Sequence, residues 1–206
     1  MNDLIYNKLR CAQRSILDWF VLNQPGLGLD RRAEFFVSHF DSWLSPNSRI
    51  LDIGGGWGVY AEPLQTRDHH VTVLDVINPA LQHAPVVIYD GERIPFPDKS
   101  FDVSLLITVL HHIPDPVRVL KEARRVTRNH VIVIEDTFRS SLERWWTEFR
   151  DRMYNFEFLG HPNQFRSRQE WLDVFRRLDF EILETRELHT RLLGLRILNE
   201  LFILGA

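Results

Sequence analysis

The segment Ile50-Leu51-Asp52-Ile53-Gly54-Gly55-Gly56-Trp57-Gly58 decides the fold of this chain. Its apolar residues predict a short buried strand, and the glycines at alternate positions after Asp52 predict a tight turn. Glycine is required where a Cβ atom would strain the backbone or collide with a neighbouring group. After the turn the chain is expected to enter a helix over 57–66. The segment therefore predicts a cofactor pocket at the carboxyl end of a first strand.

Two classes of cofactor bind at glycine turns of this kind. The dinucleotide fingerprint G-x-G-x-x-G/A fits Gly54 and Gly56, but its third position falls on Val59. A β-branched residue there opposes the close packing of helix on strand that the third glycine permits. Asp52 would repel a pyrophosphate and can instead meet a cationic group such as an ammonium. The turn thus disfavours a dinucleotide.

Beyond the turn, short apolar runs alternate with helical patterns. Strands are predicted near 49–53, 71–75, 86–89, 102–107 and 130–136, with helices over 57–66 and 115–127. This alternation is typical of a parallel sheet with helices on both faces. In such sheets ligands bind at the carboxyl ends of the strands, where the strand order reverses.

From the glycine turn onward the chain resembles the class I S-adenosylmethionine-dependent methyltransferases. The turn is similar to their motif I, and 71–75, 86–96 and 101–115 continue the likeness in the same order. The last of these contains Leu110-His111-His112-Ile113-Pro114-Asp115, which is similar to a signature of the small-molecule branch that includes the menaquinone and ubiquinone enzymes. The resemblance implies a Rossmann-like α/β fold with a seven-stranded, mostly parallel sheet whose last strand is antiparallel. It also implies S-adenosylmethionine as cofactor and S-adenosylhomocysteine as product.

The resemblance assigns cofactor-binding roles to the ends of the predicted strands. Asp75, about 20 residues beyond the turn, would bind both ribose hydroxyls. Val76 would pack on the adenine, and Asp90 would face the adenine edge. The expected cofactor contacts are Asp52, Gly54, Gly55, Gly56, Asp75, Val76, Asp90, Gly91, Ile107 and Thr108.

Three histidines are candidate catalytic residues, because a neutral imidazole near the transferred methyl group can accept a proton from the acceptor. His111 and His112 follow the predicted fourth strand, and His161 lies in a predicted loop. A structural role in the loop is the alternative for the first two, since their motif recurs in family members of differing substrate. A solvated side chain is the alternative for His161. Asp136, after the fifth strand, can either reach the acceptor or cap the next helix.

No metal site is expected. The pairs His69-His70 and His111-His112 are adjacent in sequence, and adjacent side chains of an extended chain point apart. Cys11 is the only cysteine, so a thiolate cluster and an intramolecular disulfide are both excluded.

The chain is expected to form one methyltransferase domain with four parts. These are an N-terminal helical cap (1–45), a cofactor-binding core (48–136), a substrate or lid insertion (137–164), and a C-terminal helix with a strand hairpin (165–206). Within the cap, helices are predicted over 3–23 and from Asp30 onward. In the last part, Ser167 and Glu170 predict a capping box. The final strands are predicted at 180–188 and 198–204, although 192–204 also fits a helix.

An aromatic helix is predicted over 140–153. Its apolar side chains share one helical face, and they are Leu142, Trp145, Trp146, Phe149 and Met153. A lid over the substrate and a simple buried helix both agree with this pattern.

The charge and the hydrophobic pattern of the chain limit the binding partners that can be expected. The 206 residues carry a net charge of −3 and no long basic run, so nucleic acid is disfavoured. The N-terminus lacks the pattern of a secretory signal, and the apolar stretch 192–204 is too short to span a bilayer. A cytoplasmic protein is therefore expected. The sequence carries no signal for a particular oligomeric state.

The expected methyl acceptor is a small organic molecule. The Asn/Asp-Pro-Pro-Tyr motif of adenine and glutamine methyltransferases should follow the fourth strand, where Thr108-Val109-Leu110-His111 stands instead. The aromatic flanks favour an apolar or aromatic acceptor, methylated at oxygen, carbon or nitrogen. A methyltransferase-like module that binds without turnover is the main alternative. An NAD(P)-dependent oxidoreductase is the more remote one.

Overall fold

The computed structural model describes residues 29–78, 84–155, 164–192 and 195–206. Seven strands form one sheet: β1 (Arg49–Ile53), β2 (His70–Asp75), β3 (Val86–Ile88), β4 (Phe101–Ile107), β5 (Thr127–Asp136), β6 (Glu181–Leu192) and β7 (Leu195–Gly205). The α-helices in these ranges are α1 (Leu29–Phe40), α2 (Ala61–Gln65), α3 (Pro116–Val126), α4 (Ser141–Asn155) and α5 (Arg168–Arg177). The predicted helix over 3–23 lies outside the described residues.

The strand order places a ligand crevice beside β1. The order is β3-β2-β1-β4-β5-β7-β6, and β1 to β5 pair in parallel. Strand β7 is antiparallel to both β5 and β6. The predicted seven-stranded, mostly parallel sheet with an antiparallel last strand is thus confirmed. Because the chain runs from β1 outward to β3 and then returns to β4, the order reverses between β1 and β4, where open α/β sheets bind ligands.

Two hydrophobic cores lie on the two faces of the sheet. Successive residues of a strand point to opposite faces, so Ile50 belongs to one core and Leu51 to the other. Helix α1 covers the first face with Phe36, and α5 covers the second with Trp171. Each fully buried large side chain of this kind contributes about 1.5–3 kcal/mol. The cores hold the strand ends, and hence the site, in fixed positions.

The C-terminal part follows the predicted order with longer strands. The side chain of Ser167 and that of Glu170 form the predicted capping box at the start of α5. The two last strands make an antiparallel hairpin, and the region from 195 onward is a strand rather than the alternative helix.

The helix predicted over 57–66 is wrong in its first half. Residues 57–60 form turns, and α2 begins only at Ala61. The reason is Gly58, whose φ of 73° lies in the left-handed region and cannot be part of a right-handed helix. Separately, within the described ranges no helix is long and apolar enough to cross a membrane.

Candidate cofactor and acceptor site

The glycine turn after β1 has the backbone that its sequence predicts. Gly54 and Gly56 have φ values of 71° and 52°, a region that favours glycine. The Gly54 N–H donates to the Leu74 carbonyl at 2.7 Å, which ties the turn to β2. A Cβ atom at Gly54 would lie 2.2 Å from Cγ2 of Val109, whereas one at Gly56 would meet nothing nearer than 4.0 Å. Gly54 therefore packs tightly inside the protein, and Gly56 leaves open space for a ligand.

Asp75 ends β2 beside this open position. Its Oδ2 accepts a hydrogen bond of 2.9 Å from the Gly56 N–H, and its Oδ1 accepts one of 3.1 Å from the Ile77 N–H. Each carboxylate oxygen has further lone pairs for a ligand hydroxyl. The structure thus brings together Gly56 of the glycine turn and Asp75 at the end of β2, two of the predicted cofactor contacts.

Asp52 lies buried beneath Gly55. Its exposed fraction is only 1%, and a Cβ atom at Gly55 would lie 2.4 Å from Asp52 Oδ2. Among the described residues this oxygen has no hydrogen-bond partner. Burial, reinforced by the charge of Asp75, raises the pKa of Asp52 from 3.8 to about 7. A buried carboxylate oxygen without a hydrogen-bond partner is unfavourable, and a cationic ligand group at this position would relieve that cost.

Val76, Gly91 and Asp90 form an exposed edge next to Asp75. The Val76 side chain is 51% exposed, and a Cβ atom at Gly91 would lie 3.2 Å from its Cγ1. The Asp90 Oδ1 accepts hydrogen bonds from the N–H groups of Glu92 and Arg93, which lower the pKa of this carboxyl. An apolar side chain and an acceptor-bearing loop thus lie side by side, as an adenine ring requires.

Ile107 and Thr108 stand at the end of β4. Ile107 is buried, whereas Thr108 has a φ of 49°, a strained value for a β-branched residue. Its N–H donates to the Ile134 carbonyl at 2.7 Å, and its side chain is hydrogen-bonded to the Tyr60 hydroxyl. Burial raises the pKa of Tyr60 to about 12. Backbone strain of this type persists where the surrounding structure fixes it, commonly at functional sites.

His111 is fixed by Glu135, a residue that the sequence analysis did not select. Both side chains are fully buried, and His111 Nδ1 lies 2.5 Å from Glu135 Oε2. The other oxygen of Glu135 accepts from the N–H groups of Val109 and Leu110, at 2.9 and 2.7 Å. Desolvation lowers the pKa of His111, but the carboxylates of Glu135 and Asp151 together outweigh it and hold that pKa well above 6.5.

His112 and Asp151 complete a group that we call the histidine cluster: His111, His112 and Asp151. Asp151 Oδ1 lies 3.5 Å from His111 Nε2 and 3.9 Å from His112 Nε2. Leu110–His112 is a 3-10 helix, and the two imidazole centroids are 4.1 Å apart. The premise that these side chains point apart, on which the absence of a metal was predicted, is therefore wrong. His161 lies outside the described residues.

A second buried network surrounds Asp136. Its Oδ2 accepts a 2.6 Å hydrogen bond from Arg150, and its Oδ1 accepts one of 2.5 Å from Asn199. Arg32 lies 3.8 Å from the same carboxylate. The antiparallel register of β5 and β7 places Asn199 directly opposite Asp136. Asp136 therefore joins α4 to the sheet and does not cap the next helix.

Helix α4 presents its polar side to the protein and its apolar side outward. Its buried residues include Thr147, Arg150 and Asp151. The five apolar side chains predicted to share one face are 40–76% exposed, so the alternative of a simple buried helix is wrong. Trp145 stacks on Phe149 at a centroid distance of 5.6 Å within this face. Exposed apolar patches of this kind are common at binding surfaces.

Two acids of the site carry only a weak sequence signal. Glu135 ends an otherwise apolar run, Val131-Ile132-Val133-Ile134, and an acid at the end of a buried strand is a recognisable hint. Asp151 has no comparable signal, because its role depends on how α4 packs.

Comparisons with known proteins agree with this geometry. The family model described as Methyltransferase domain matches residues 51–134. A 27-O-demethylrifamycin SV methyltransferase from Amycolatopsis mediterranei is 33% identical over 99 residues, which cover 41% of this chain and 36% of that protein. A ubiquinone biosynthesis O-methyltransferase from Hahella chejuensis is 30% identical over 95 residues, 40% of each protein. This chain thus spans two fifths or less of the length of these relatives.

Solved structures share the fold over nearly the whole chain. An S-adenosylmethionine-dependent methyltransferase from Thermotoga maritima has a TM-score of 0.64 and 23% identity, and the match covers 93% of this chain and 98% of that one. The match of residues 51–134 to the family model, together with the glycine turn and the acid that ends β2, supports a class I S-adenosylmethionine-dependent methyltransferase. The prediction from motif I is confirmed.

The described residues fit the cofactor that this family implies. Asp52 Oδ2 is a buried acceptor without a partner, which matches an ammonium group. The space above Gly56 and the carboxylate of Asp75 match a ribose with two hydroxyls. The exposed Val76 matches an adenine face.

Proposed function

We propose that the protein transfers a methyl group from S-adenosylmethionine to a small organic acceptor. The observation that carries the proposal is the contact of Gly54 with Val109, which joins the cofactor turn to the turn bearing His111 and His112. The glycine turn after β1 and the turn that bears the histidines after β4 are therefore in contact. Such proximity is what methyl transfer requires, since reacting groups must be held in line.

The cofactor supplies an electrophilic methyl group on a sulfonium. On the protein side, Asp52 binds the ammonium, Asp75 binds the ribose hydroxyls, and Val76 packs on the adenine beside Gly91 and Asp90. Gly54, Gly55 and Gly56 bring the backbone close to the ligand, and Ile107 and Thr108 line the crevice at the end of β4. These roles rest on the burial and hydrogen bonds described above.

The acceptor side is assigned to the histidine cluster. Its least buried member, His112, has a side chain that is 27% exposed and can donate a hydrogen bond to, or accept one from, a polar atom of the acceptor. His111 is a positioning residue, because Glu135 holds its ring and buries it. Orientation of the acceptor by these groups, together with exclusion of water, supplies much of the rate in this type of reaction.

A hydroxyl group on an apolar or aromatic molecule is the proposed acceptor. Two relatives are named for O-methylation, namely the rifamycin and ubiquinone enzymes. The aromatic face of α4, with Trp145, Trp146 and Phe149, lies on the side of the helix opposite to Asp151, so the preference for an apolar acceptor rests on these relatives alone. Carbon and nitrogen acceptors are the remaining possibilities for the same site.

The proposal is tested by measuring S-adenosylhomocysteine by mass spectrometry. The full chain is incubated with S-adenosylmethionine and panels of phenols, quinols, aliphatic alcohols, amines and carbon acids. Formation of product with a member of the hydroxyl panels supports the proposal. Calorimetric binding of the cofactor without product from any panel would favour a non-catalytic binding module instead.

The substitution Asp75→Ala is expected to weaken cofactor binding by more than ~10-fold, because two ribose hydroxyls and the Gly56 N–H would lose their acceptor. Asp75→Asn keeps one acceptor oxygen and should have a smaller effect. Isothermal titration calorimetry with S-adenosylhomocysteine measures both. The control is Asp173→Ala on α5, an exposed acid remote from the turn. Equal affinities in wild type and Asp75→Ala would remove the ribose assignment.

A further inference from the structure

The histidine cluster has the composition of a metal site. Each member offers one ligand atom, and the three atoms lie within 4.8 Å of one another. They are two imidazole nitrogens and one carboxylate oxygen. This is the ligand set of mononuclear transition-metal sites that keep coordination positions open for water or substrate.

The distances in the cluster are close to those between the ligands of one ion. On a tetrahedral ion with bonds of about 2.1 Å, neighbouring ligand atoms are about 3.4 Å apart. Asp151 Oδ1 is 3.5 Å from His111 Nε2 and 3.9 Å from His112 Nε2, so small side-chain movements reach that geometry.

Glu135 provides the support that a ligating histidine normally has. Metal-bound histidines donate their second ring N–H to a carboxylate or carbonyl, which fixes the tautomer and the ring orientation. The carboxylate of Glu135 is held by two backbone N–H groups and accepts from His111 Nδ1. This places Nε2 of His111 toward Asp151, where a bound ion would take the place of the Nε2 proton.

The charges around the histidine cluster and its exposure to solvent also agree with a metal site. The two carboxylates that flank His111, Glu135 and Asp151, match the charge of a divalent ion. Glu135 is fully buried, whereas the His112 side chain is 27% exposed and leaves a path for entry. Imidazole ligands favour Zn²⁺, Fe²⁺, Co²⁺ or Ni²⁺ over Mg²⁺ and Ca²⁺, which prefer oxygen.

We propose that His111, His112 and Asp151 bind one divalent transition-metal ion, with Glu135 orienting His111. The inference needs only the cluster and is independent of methyl transfer. An ion at this position would leave coordination sites that a hydroxyl oxygen can occupy.

The test uses the full chain without a histidine tag, stripped with a chelator and titrated with Co²⁺ in the absence of cofactor. Visible absorption reports nitrogen and oxygen coordination, and equilibrium dialysis with Zn²⁺ gives the stoichiometry. One ion per chain is expected, with no competition from equimolar Mg²⁺. His112→Ala and the isosteric Asp151→Asn should each weaken binding at least ~10-fold, and Glu135→Gln should weaken it ~10–100-fold.

His189→Ala is the matched control, because His189 is an exposed histidine on β6 beside Glu187. It should bind the ion as the wild type does. Circular dichroism identifies any variant that fails to fold. Because the His112 side chain is partly exposed, His112→Ala is the variant expected to disturb folding least. Absence of stoichiometric binding, or binding that survives both His112→Ala and Asp151→Asn, would overturn the proposal and leave a proton-bridged cluster. Metal binding is measured without cofactor and acceptor, so a failure of this proposal is distinguishable from a failure of the proposed methyl transfer.

Discussion

Replacing Asp52 with asparagine is expected to weaken S-adenosylmethionine binding at pH 8 by at least ~30-fold. The reason is that the ammonium group of the cofactor would lose the carboxylate that balances its charge in a buried position. Asp52 is 1% exposed, and its Oδ2 has no hydrogen-bond partner among the described residues. At pH 8 the carboxyl, whose pKa is about 7, is ionised and ready for the ammonium. Below that pH, binding has to displace a proton, so the affinity of the wild type should fall as the solution becomes more acidic. The asparagine variant should lack this part of the pH dependence.

The same substitution is expected to stabilise the cofactor-free protein at high pH. The pKa of Asp52 is raised from 3.8 to about 7, so folding stability from this group is present in full below pH 3.8 and is lost as the pH rises through 7. A shift of one pKa unit corresponds to about 1.36 kcal/mol. The difference in unfolding free energy between Asp52→Asn and the wild type should therefore change by about 4 kcal/mol in favour of the variant from pH 4 to pH 8.

Calorimetry and denaturant unfolding at several pH values measure the two effects. Asp68→Asn is the control, since Asp68 is exposed and its φ of 62° suits asparagine. Weaker binding together with a more stable unliganded fold at high pH is a pattern that general damage to the structure does not produce. Wild-type affinity in Asp52→Asn at pH 8 would contradict the ammonium assignment.

The substitution Arg150→Met is expected to lower the free energy of unfolding by about 3–5 kcal/mol. Arg150 and Asp136 form a 2.6 Å ion pair whose side chains are 3% and 8% exposed. Methionine fills much of the same volume but leaves the buried carboxylate of Asp136, among the described residues, with Asn199 and the more distant Arg32. The cost therefore comes mainly from an uncompensated charge.

Arg144→Met provides the comparison within the same helix. Arg144 pairs with Glu148 at 2.9 Å, but the two side chains are 48% and 22% exposed, so the loss should be at most ~1 kcal/mol. Adding Asp136→Asn to Arg150→Met should recover part of the stability, because it removes the stranded charge. Urea unfolding measures the unfolding free energy of the wild type, the two single variants and the double variant. Equal losses from Arg150→Met and Arg144→Met would show that the buried pair is not what anchors α4.

The cofactor side of the site was predictable because its signals are local. The alternating glycines and the acid at the end of the next strand lie within about 25 residues of chain, and the fold joins Gly56 to Asp75 by a hydrogen bond. The one local error, the early start of the helix after the turn, arose because the spacing of apolar residues does not reveal the positive φ of Gly58.

The acceptor side depends on contacts between distant residues. His111 and His112 face a common point because Glu135, 24 residues away, accepts from the backbone N–H groups that open their 3-10 turn. Asp151 reaches the same point only through the packing of α4. The exposed aromatic face of that helix has the same spacing as a buried one, so periodicity alone could not separate the two.

The match to the family ends at residue 134, one position before Glu135. Asp136, Arg150 and Asp151 all lie beyond it, on the last residue of β5 and on α4. The glycine turn, Asp75 and His111 therefore lie inside the stretch that the family model describes, whereas Glu135 and Asp151 lie outside it. Grafting residues 135–155 onto another methyltransferase of this fold should transfer the acidic partners of the histidine cluster and leave the proposed cofactor pocket in place, and the acceptor panels would measure any change of preference.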